Sequence, residues 1–371
     1  MKSGHRLSRF LSALPVLAVV AIDALTIGVI WATVVTAYWA SGLGHYDPRH
    51  YLAFWPIVPA CLLLNYFHGQ YGRKHAYGLT VLAQVEEFRA LTISALLSNL
   101  LLMSCLGFMH RQTEISRLVI AVSAVLQITF AQPVRNLWRG WLRRRFKASA
   151  AVKMRMQNLR PLRDRGRALR TEKAVIEFLL TVGLTILAIP VFVIVPVLIK
   201  LDSRGPVFYR ARRLGKKGRP ITIIKFRTMR KNADIALNRL LASDPTAAAE
   251  FSRTFKLGSD PRVTRVGRWL RKTSLDELPQ LFNVYLRQLS LIGPRPIVER
   301  EVTYYGECFP VFSSVRPGIT GLWQCTKRSE VESYRERVAL DVYYVQNWSP
   351  WMDIWIVYRT VFAVLTMKGA C

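Results

Sequence analysis

Residues 174–199 read AVIEFLLTVGLTILAIPVFVIVPVLI, an apolar run interrupted by Pro190 and Pro196. The run is longer than the roughly 20 residues that cross a bilayer core as a helix. Because proline lacks a backbone N–H and kinks a helix, we expect a break near Pro190. Lys and Arg residues crowd both ends of the run, so both flanks favour the cytoplasm. A re-entrant helix that returns to the same side satisfies both flanks, whereas a straight span leaves one basic flank outside.

Four further apolar segments precede this run, at residues 14–40, 51–67, 91–109 and 118–134. Each is close to the roughly 20 residues needed to cross the membrane, and we expect four transmembrane helices. Asp23 lies inside the first segment, where an unpaired charge costs at least about 2.5 kcal/mol. We therefore expect Asp23 to face the bundle interior, in a structural hydrogen bond rather than a proton relay.

The composition agrees with an integral membrane protein and limits the chemical classes of molecule that the protein could bind. Hydrophobic residues make up 51% of the chain, and the formal net charge is +30. This surplus predicts polyanionic partners, which include nucleic acid, anionic lipid headgroups and phosphorylated substrates. The five cysteines form no CxxC pair and the six histidines form no cluster with ligand spacing, so neither a disulfide framework nor a zinc site is expected.

The segment 135–173 contains fourteen Lys or Arg residues and two acids. By the positive-inside rule it lies in the cytoplasm, and an even number of preceding spans puts the N-terminus there as well. We interpret the segment as a solvated basic linker that can contact anionic lipid. A nucleic-acid site is the alternative, but its only stacking candidates, Trp138 and Trp141, lie at a membrane end where Trp is common. No nucleic-acid partner is therefore predicted.

The portion from residue 201 to about residue 349 has the mixed charge and the Gly/Pro punctuation of a globular domain. Residues 207–212 and 221–226 are rich in β-branched and aromatic side chains, and GKKG (215–218) separates them, so a β-hairpin is predicted. The rest of this portion favours short helices. Residues 351–367 are expected to form an amphipathic helix at the membrane interface, with a further span as the alternative.

Asp276 and Glu277 stand in the stretch TSLDELPQ (273–280), directly after a cationic segment. The basic residues of this segment are Arg262, Arg265, Arg268, Arg271 and Lys272. A carboxylate can attack a phosphoryl centre when cations neutralise the phosphates, and Mg²⁺, which prefers oxygen ligands, often supplies part of that charge. The same pattern fits a helix start in which Ser274 is the cap and the two acids face the helix dipole. The dyad alone does not separate the two interpretations.

Six ordered motifs, from about Lys173 to the C-terminus, carry a resemblance to a known family. They are LDSRGPVFYRARRLGKKGRP (201–220), KFRTM (225–229), DPRVTRVGRWLRKTSLDELPQLFNV (260–284), LSLIGPRP (289–296), RPGITGLWQ (316–324) and LDVYYVQNWSPWMDI (340–354). With them the chain resembles the bacterial sugar transferases, also called polyprenyl-phosphate hexose-1-phosphate transferases or monotopic phosphoglycosyl transferases. The four preceding helices resemble the membrane region of the larger members.

The resemblance implies an enzyme that transfers a sugar 1-phosphate from a UDP-sugar to polyprenyl phosphate and releases UMP. This step initiates exopolysaccharide, capsule or O-antigen synthesis. Asp276 would attack the β-phosphate to form an aspartyl phosphosugar, and Glu277 would help it or, with Asp276, bind Mg²⁺. The re-entrant helix, broken at Pro190, would guide the lipid phosphate. Basic residues at matching motif positions would hold the phosphates and the nucleotide, namely Lys225, Arg227, Arg271, Arg295 and Arg328.

Two departures from the family pattern bear on these expectations. Ile189 stands before Pro190 where members often carry Ser, so a hydrogen bond that helps the bend is missing. The stretch usually written LRGDMS reads YLRQLS (285–290), which lacks the Gly and the Asp. If that Asp binds metal or orders the loop, the activity differs from that of other members.

The predicted architecture is an integral membrane protein, mainly α, with four transmembrane helices, a re-entrant membrane helix and a small α+β cytoplasmic catalytic domain. Its divisions are a transmembrane region (1–134), a basic linker (135–173), the re-entrant helix (174–200) and the catalytic domain (201–371). We expect it in the bacterial inner membrane, with the catalytic domain on the cytoplasmic side, and a homo-oligomer is compatible with the sequence. A noncatalytic membrane scaffold is the competing interpretation, and the retained DE, KFR and PRP strings favour the enzyme.

Overall fold

The structure, a computed structural model, describes residues 2–42, 55–71, 81–108, 116–146, 167–246, 248, 251, 260–326 and 334–365. The chain divides into two compact units, Met1–Lys153 and Met154–Cys371. Both are mainly helical, and the second also contains two small two-stranded sheets. The mainly α fold with a small sheet region is thus confirmed.

The first unit consists of helices built on the apolar segments of the sequence. They are α1 (Lys2–Ala40), α2 (Ile57–Phe67), α3 (Val81–Phe108) and α4 (Arg117–Phe146). Three contain stretches long and apolar enough to cross a membrane, namely Val16–Ala40, Ala83–Cys105 and Arg117–Trp141. Helix α2, with 11 residues, is shorter than the segment predicted at 51–67, of which residues 51–54 lie outside the described part of the chain.

A cluster of buried charges connects α1, α3 and α4. Arg135 donates to Asp23 (Nε to Oδ1, 2.8 Å) and to Glu87 (Nη1 to Oε1, 2.8 Å). Arg139 donates to Glu87 as well (Nη1 to Oε2, 2.9 Å), and Tyr71 Oη donates to Asp23 Oδ2 at 2.8 Å. The interior position and the hydrogen bond predicted for Asp23 are confirmed. We call these five residues the buried charge cluster.

The prediction that residues 135–173 form a solvated linker is wrong at its start. Helix α4 continues past residue 135, and Arg135 and Arg139 are only 1% and 3% exposed. A charge is buried without large loss only when partners compensate for the removed water, and acids of α1 and α3 do so here. Residues 147–166 lie outside the described part.

Helix α5 (Arg167–Asp202) is the first described element of the second unit, and short elements follow it. They are β1 (Phe208–Leu214), β2 (Pro220–Phe226), α6 (Ala233–Ser243), α7 (Arg265–Thr273), a 3-10 turn (Leu275–Glu277), α8 (Gln280–Tyr285), β3 (Ser290–Ile292), α9 (Val302–Tyr305), α10 (Phe309–Ser313), β4 (Gly318–Thr320), α11 (Leu322–Thr326), α12 (Tyr334–Asn347) and α13 (Pro350–Leu365). The short helices expected here are confirmed.

Helix α5 is a single element that contains both prolines, so the break expected at Pro190 does not interrupt it. A proline removes one backbone donor, and the helix continues on either side of it. The stretch Lys173–Asp202 is long and apolar enough to cross a membrane. A bend of the helix axis at Pro190, with a return to the same side, stays a prediction.

One face of α5 packs against the rest of the second unit. Its buried residues recur at helical spacing, at Thr181, Ala188, Val195 and Ile199. The other side of the helix exposes large apolar side chains, among them Leu187, which is 77% exposed. A surface of this kind is typical of contact with lipid or with another protein.

Strands β1 and β2 form the hairpin predicted from the sequence, antiparallel and with Tyr209 opposite Lys225. Because side chains alternate along a strand, Arg213 and Lys225 lie on one face of the hairpin and Phe226 lies on the other. Phe226 is buried in an apolar cluster with Val195 of α5. The face that carries Arg213 and Lys225 is therefore turned away from α5.

Strands β3 and β4 pair in parallel, with Ser290 opposite Gly318. They belong to the LSLIGPRP and RPGITGLWQ motifs. A Cβ atom at Gly318 would lie 2.1 Å from the nitrogen of Gly293, so the close approach of the two segments requires glycine. Because parallel strands end at the same edge, the segments that follow them bring Arg295 and Gln324 together.

Helix α13 covers most of the segment predicted at 351–367. Met352, Trp355 and Ile356 are fully buried, so one face of the helix packs within the second unit. Its position at a membrane interface stays a prediction, and residues 366–371 lie outside the described part.

Candidate active site

The acidic dyad lies in the 3-10 turn between α7 and α8. Ser274 ends α7 with a φ of 57°, and its side chain makes no capping hydrogen bond to the turn. Ser274 thus stands at the N-cap of the turn with both acids in the first turn, as considered from the sequence, but without the side-chain hydrogen bond of a cap. Leu275 and Leu278, on either side of the two acids, pack against the apolar cluster that contains Val195. Apolar contacts with α5 thus hold the dyad in position.

Lys225 is joined to the dyad by an ion pair. Its Nζ lies 2.7 Å from Glu277 Oε1, and the two side chains are 22% and 19% exposed. The KFR motif and the dyad, distant in sequence, meet because the turn packs against β2. A lysine at this position can exchange a carboxylate for a phosphate oxygen, since both are anionic acceptors.

Arg227, the second basic residue of the KFR motif, contacts the main chain. Its Nη1 and Nη2 donate to the carbonyl oxygens of Arg204 (2.6 Å) and Ser203 (2.7 Å), and the residue is buried. These two hydrogen bonds stabilise the turn that follows α5. A contact of Arg227 with phosphate or nucleotide stays a prediction.

A pocket with about 280 Å³ of empty volume, part of it open to solvent, lies beside the dyad. It is lined by Arg213, Ile223, Lys225, Glu277, Gln280, Arg295, Pro296, Ile319 and Gln324. We call it the cationic pocket, because three of these described residues are basic and one is acidic. It brings together three predicted site residues, Lys225, Glu277 and Arg295.

Arg295 reaches the pocket from the loop after β3. Its guanidinium carbon lies 5.6 Å from the centroid of the Trp323 ring, within the range of a cation–π interaction. The Asp341 carboxylate accepts a hydrogen bond from Tyr305 Oη at 2.8 Å and lies within electrostatic range of Arg295. Burial raises the pKa of Asp341 to about 7. These contacts fix the loop that presents Arg295.

Arg213 lines the pocket but is absent from the site residues predicted from the sequence. Burial, and after it the positive charge of Arg295, lowers the pKa of the Arg213 guanidinium. Two guanidinium groups close enough to repel each other are stabilised by an anion between them. Strand alternation could have identified Arg213, because it puts this residue on the same face of the hairpin as Lys225. That prediction requires the register of the hairpin.

Arg271 lies on α7, shortly before the dyad. Its Nε donates to Thr228 Oγ1 at 2.9 Å. Burial lowers the pKa of Arg271, and the negative charge of Asp276 opposes that shift, which puts the two side chains within electrostatic range. The structure therefore brings Arg271 near the dyad but not into the lining of the cationic pocket. Arg328 lies outside the described residues.

The stretch 285–290, which departs from the family pattern, forms a turn stabilised by its own side chains. Arg287 has a φ of 57°, in the left-handed region that favours glycine. Asn283 donates to Gln288 Oε1 (2.6 Å) and to the carbonyl of Thr222 on β2 (2.7 Å). Gln288 thus orders the turn that leads into β3.

Asp276 and Glu277 are the candidate ligands for Mg²⁺. Within the described residues, no group of three or more His, Cys, Asp or Glu side chains could hold a metal ion. Mg²⁺ is often bound by one or two carboxylates, with substrate phosphates and water completing its ligands. Two adjacent carboxylates in a turn beside a pocket lined by three cations fit that mode, and Mg²⁺ stays a prediction.

Residues 168–367, in the second unit, match the family model described as bacterial sugar transferase. The exopolysaccharide production protein ExoY of Sinorhizobium fredii is 46% identical over 181 residues, which are 49% of this chain and 80% of the relative. A UDP-glucose:undecaprenyl-phosphate glucose-1-phosphate transferase of Caulobacter vibrioides is 39% identical over 210 residues, 55% of this chain and 73% of the relative.

The undecaprenyl-phosphate galactose phosphotransferase of Salmonella typhimurium is 43% identical over 204 residues, 55% of this chain. The match covers 42% of that longer relative. The family model includes the dyad, the hairpin and the cationic pocket, and it covers more than half of the chain. The sequence-based identification is confirmed, and this chain belongs to the bacterial sugar transferase family.

Proposed function

We propose that this transferase moves a hexose 1-phosphate from a UDP-sugar to undecaprenyl phosphate or a related polyprenyl phosphate, with release of UMP. The proposed reaction starts an exopolysaccharide, capsule or O-antigen repeat at the cytoplasmic face of the bacterial inner membrane. The names of the Salmonella and Caulobacter relatives support the acceptor and the type of reaction. The observation that carries the proposal is the position of the dyad turn beside the cationic pocket.

In the first step, a carboxylate oxygen of Asp276 attacks the β-phosphorus of the UDP-sugar. The bond from this phosphorus to the bridging oxygen breaks, UMP leaves with the electron pair, and the phosphosugar remains on Asp276 as an acyl phosphate. An anion attacks an anionic diphosphate only when positive charge compensates for the repulsion. Lys225 and Arg295 are proposed to bind the phosphate oxygens, and Arg213 adds a third cation.

In the second step, an oxygen of the lipid phosphate attacks the same phosphorus. The bond to Asp276 breaks, which regenerates the carboxylate and gives a polyprenyl diphosphosugar. The same cations stabilise the charge that develops in both steps, since both occur at one phosphorus. Asp276 and Glu277 would hold Mg²⁺, which, when bound, supplies further positive charge at the diphosphate.

The contacts of α5 support access to the site from one side of the membrane. Near the start of the helix, Glu177 accepts a hydrogen bond from Ser290 Oγ (2.5 Å), and at its end Asp202 accepts one from Val266 N (3.0 Å). These residues are about 37 Å apart along a straight helix, more than the roughly 30 Å hydrocarbon core. A straight span would need the same compact unit on both sides of the bilayer. We therefore propose that α5 enters the lipid from the cytoplasmic side only.

The test is a transfer assay with the full-length protein in lipid nanodiscs, radiolabelled UDP-glucose or UDP-galactose, and polyprenyl phosphate. Wild type is compared with Asp276→Asn and with Glu299→Gln, which removes an exposed acid of the same unit. We expect wild type and Glu299→Gln to label the lipid, and Asp276→Asn to lose at least about 10³-fold in rate, as for other lost nucleophiles. Equal labelling by Asp276→Asn would remove the nucleophile assignment. No labelling by wild type with any UDP-sugar would favour the noncatalytic scaffold.

A further inference from the structure

Gln324 has a buried polar atom that the proposed chemistry does not use. The residue lies on α11, directly after β4, and is 8% exposed. Its Nε2 donates to the carbonyl oxygen of Ile319 at 3.1 Å. Because a carbonyl oxygen only accepts, this bond fixes which end of the amide is which. The Oε1 atom is therefore the end left for another partner.

Gln324 Oε1 has no hydrogen-bond partner among the described residues, although it is buried. Buried polar atoms are almost always hydrogen-bonded, and an exception points to a missing partner. Gln324 is one of the residues that line the cationic pocket. A molecule that enters this pocket could reach the Gln324 side chain and supply the missing partner.

The chemistry of the pocket limits what this molecule offers to the amide oxygen. Phosphate oxygens are acceptors and match Arg213, Lys225 and Arg295, so they cannot bond to Gln324 Oε1. The partner must carry an O–H or N–H group. A polyprenyl phosphate has neither when it is ionised, whereas a UDP-sugar has the imide N–H of uracil and hydroxyls on the ribose and the hexose.

We propose that Gln324 Oε1 accepts a hydrogen bond from an O–H or N–H group of the UDP-sugar, and so distinguishes the sugar nucleotide from the lipid phosphate in a pocket that binds both phosphates. The inference rests on the proposed function. Gly321 supports it, since a Cβ atom there would lie 3.3 Å from Gln324 Oε1 and 2.2 Å from the carbonyl oxygen of Gly293. Glycine at this position leaves room for the amide oxygen, and the hydrogen bond to Ile319 holds the amide in place.

The test measures dissociation constants by calorimetry with the full-length protein. It compares the Gln324→Met variant with the protein that keeps Gln324. The ligands are UMP, N3-methyl-UMP, UDP-glucose and UDP-galactose, and the UDP-sugars are measured in the Asp276→Asn background so that none is consumed. Loss of one hydrogen bond that leaves its donor unpaired predicts about a tenfold weaker affinity. Gln288→Met is the control, because that amide is bonded to Asn283 and lies outside the pocket lining.

Three patterns support the proposal and locate the donor. If UMP binds about tenfold more weakly to Gln324→Met, and N3-methyl-UMP binds equally weakly to both proteins, the partner is the imide N–H. If both UMP and N3-methyl-UMP are weakened by the substitution, the partner is a ribose hydroxyl. If only the UDP-sugars are weakened, it is a hydroxyl of the hexose.

Affinities that agree within about twofold for every ligand, with an unchanged Tm, would overturn the proposal and leave water as the partner of the amide oxygen. That result leaves the proposed transfer reaction intact. A wild-type protein that binds neither UMP nor a UDP-sugar would instead reject the proposed function, and this inference with it.

Discussion

The buried charge cluster of the first unit and the cationic pocket of the second combine the same groups, guanidinium and carboxylate, in different proportions. In the cluster, Arg135 and Arg139 meet Asp23 and Glu87, so two positive charges face two negative ones. All four side chains are at most 5% exposed. A buried set of this kind avoids a large loss of hydration energy only because every charge has a partner.

The cationic pocket is unbalanced. It is lined by three basic residues, Arg213, Lys225 and Arg295, and by one carboxylate, Glu277. Among the described residues, the ion pair found in the pocket joins Lys225 to Glu277. The excess of positive charge is half-buried at the edge of solvent, and an anion bound there would stabilise it. The cluster therefore holds helices together, whereas the excess positive charge of the pocket suits a polyanionic ligand.

Removal of Arg135 should have the largest effect on stability. Arg135→Ala leaves Asp23 and Glu87 buried without this partner, and breaking a buried pair costs about 3–5 kcal/mol. We expect a strongly lowered Tm, or loss of folded protein, measured by thermal unfolding in detergent. The control is Arg89→Ala, because the Arg89–Glu86 pair (3.5 Å) has side chains that are 48% and 56% exposed. It should change stability by less than about 1 kcal/mol, and equal losses in both variants would contradict the account.

Asp341 is a buried acid near the pocket whose Oδ1 lacks a hydrogen-bond partner among the described residues. Because burial raises its pKa to about 7, the folded state keeps a proton that the unfolded state releases above about pH 4. The free energy of unfolding should therefore fall as the pH rises from about 4 to about 7, by an amount on the order of a few kcal/mol. Above the folded pKa this loss is complete.

The Asp341→Asn variant should lose that part of the pH dependence. Its Tm at about pH 8 should exceed that of wild type, since an amide needs no ionisation inside the protein. Thermal unfolding between about pH 5 and pH 8 is the measurement. A wild-type Tm that rises over this range, in parallel with the variant, would show that Asp341 is ionised and well paired.

Loss of a pocket cation should affect catalysis rather than folding. Arg213→Ala and Arg295→Ala each remove a charge-assisted hydrogen bond to phosphate, which predicts a kcat/KM lower by about 10- to 100-fold. The Tm should change little, because neither guanidinium forms an ion pair within the described residues. Arg212→Ala, on the opposite face of β1, is the matched control. A collapse of Tm with unchanged kcat/KM would make these arginines structural.

The smallest effect that we expect is a difference in salt dependence between the cationic pocket and the buried charge cluster. Partly exposed charges are screened by ions, whereas a buried pair is screened much less. Between about 0.05 M and 0.5 M NaCl we expect the KM for the UDP-sugar to rise about threefold and the Tm to stay nearly constant. The rise in KM should shrink in Arg213→Ala. A salt-sensitive Tm with a constant KM would reverse the assignment of the two regions.

The sequence predicts the features that depend on local signals. The β1–β2 hairpin is predicted from the β-branched and aromatic residues on either side of GKKG. A partner for Asp23 is predicted because an unpaired carboxylate is costly in an apolar helix. The six motifs identify the family because each keeps its residues and its order. Lys225 and Glu277 were both expected in the site, and the structure adds their direct contact.

Features that depend on distant contacts were missed. A basic segment after an apolar helix has the same composition whether it is solvated or buried, so the sequence predicts a linker at Arg135 and Arg139, which the structure buries. Arg213 could not be assigned to the pocket without the hairpin register and the parallel pairing of β3 and β4, which brings Arg295 to the same side. Arg227 belongs to a recognised motif, but only the structure gives its contacts with the main chain.

In the proposed reaction, the side chain of Asp276 carries the phosphosugar between donor and acceptor. The most direct measurement is intact-protein mass spectrometry after incubation with UDP-glucose or UDP-galactose without any polyprenyl phosphate, followed by peptide mapping. We expect one phosphohexose on the peptide that contains Asp276, an equal amount of UMP, and discharge of the adduct when the lipid is added. UMP released only in the presence of the lipid, with no adduct on the protein, would contradict it.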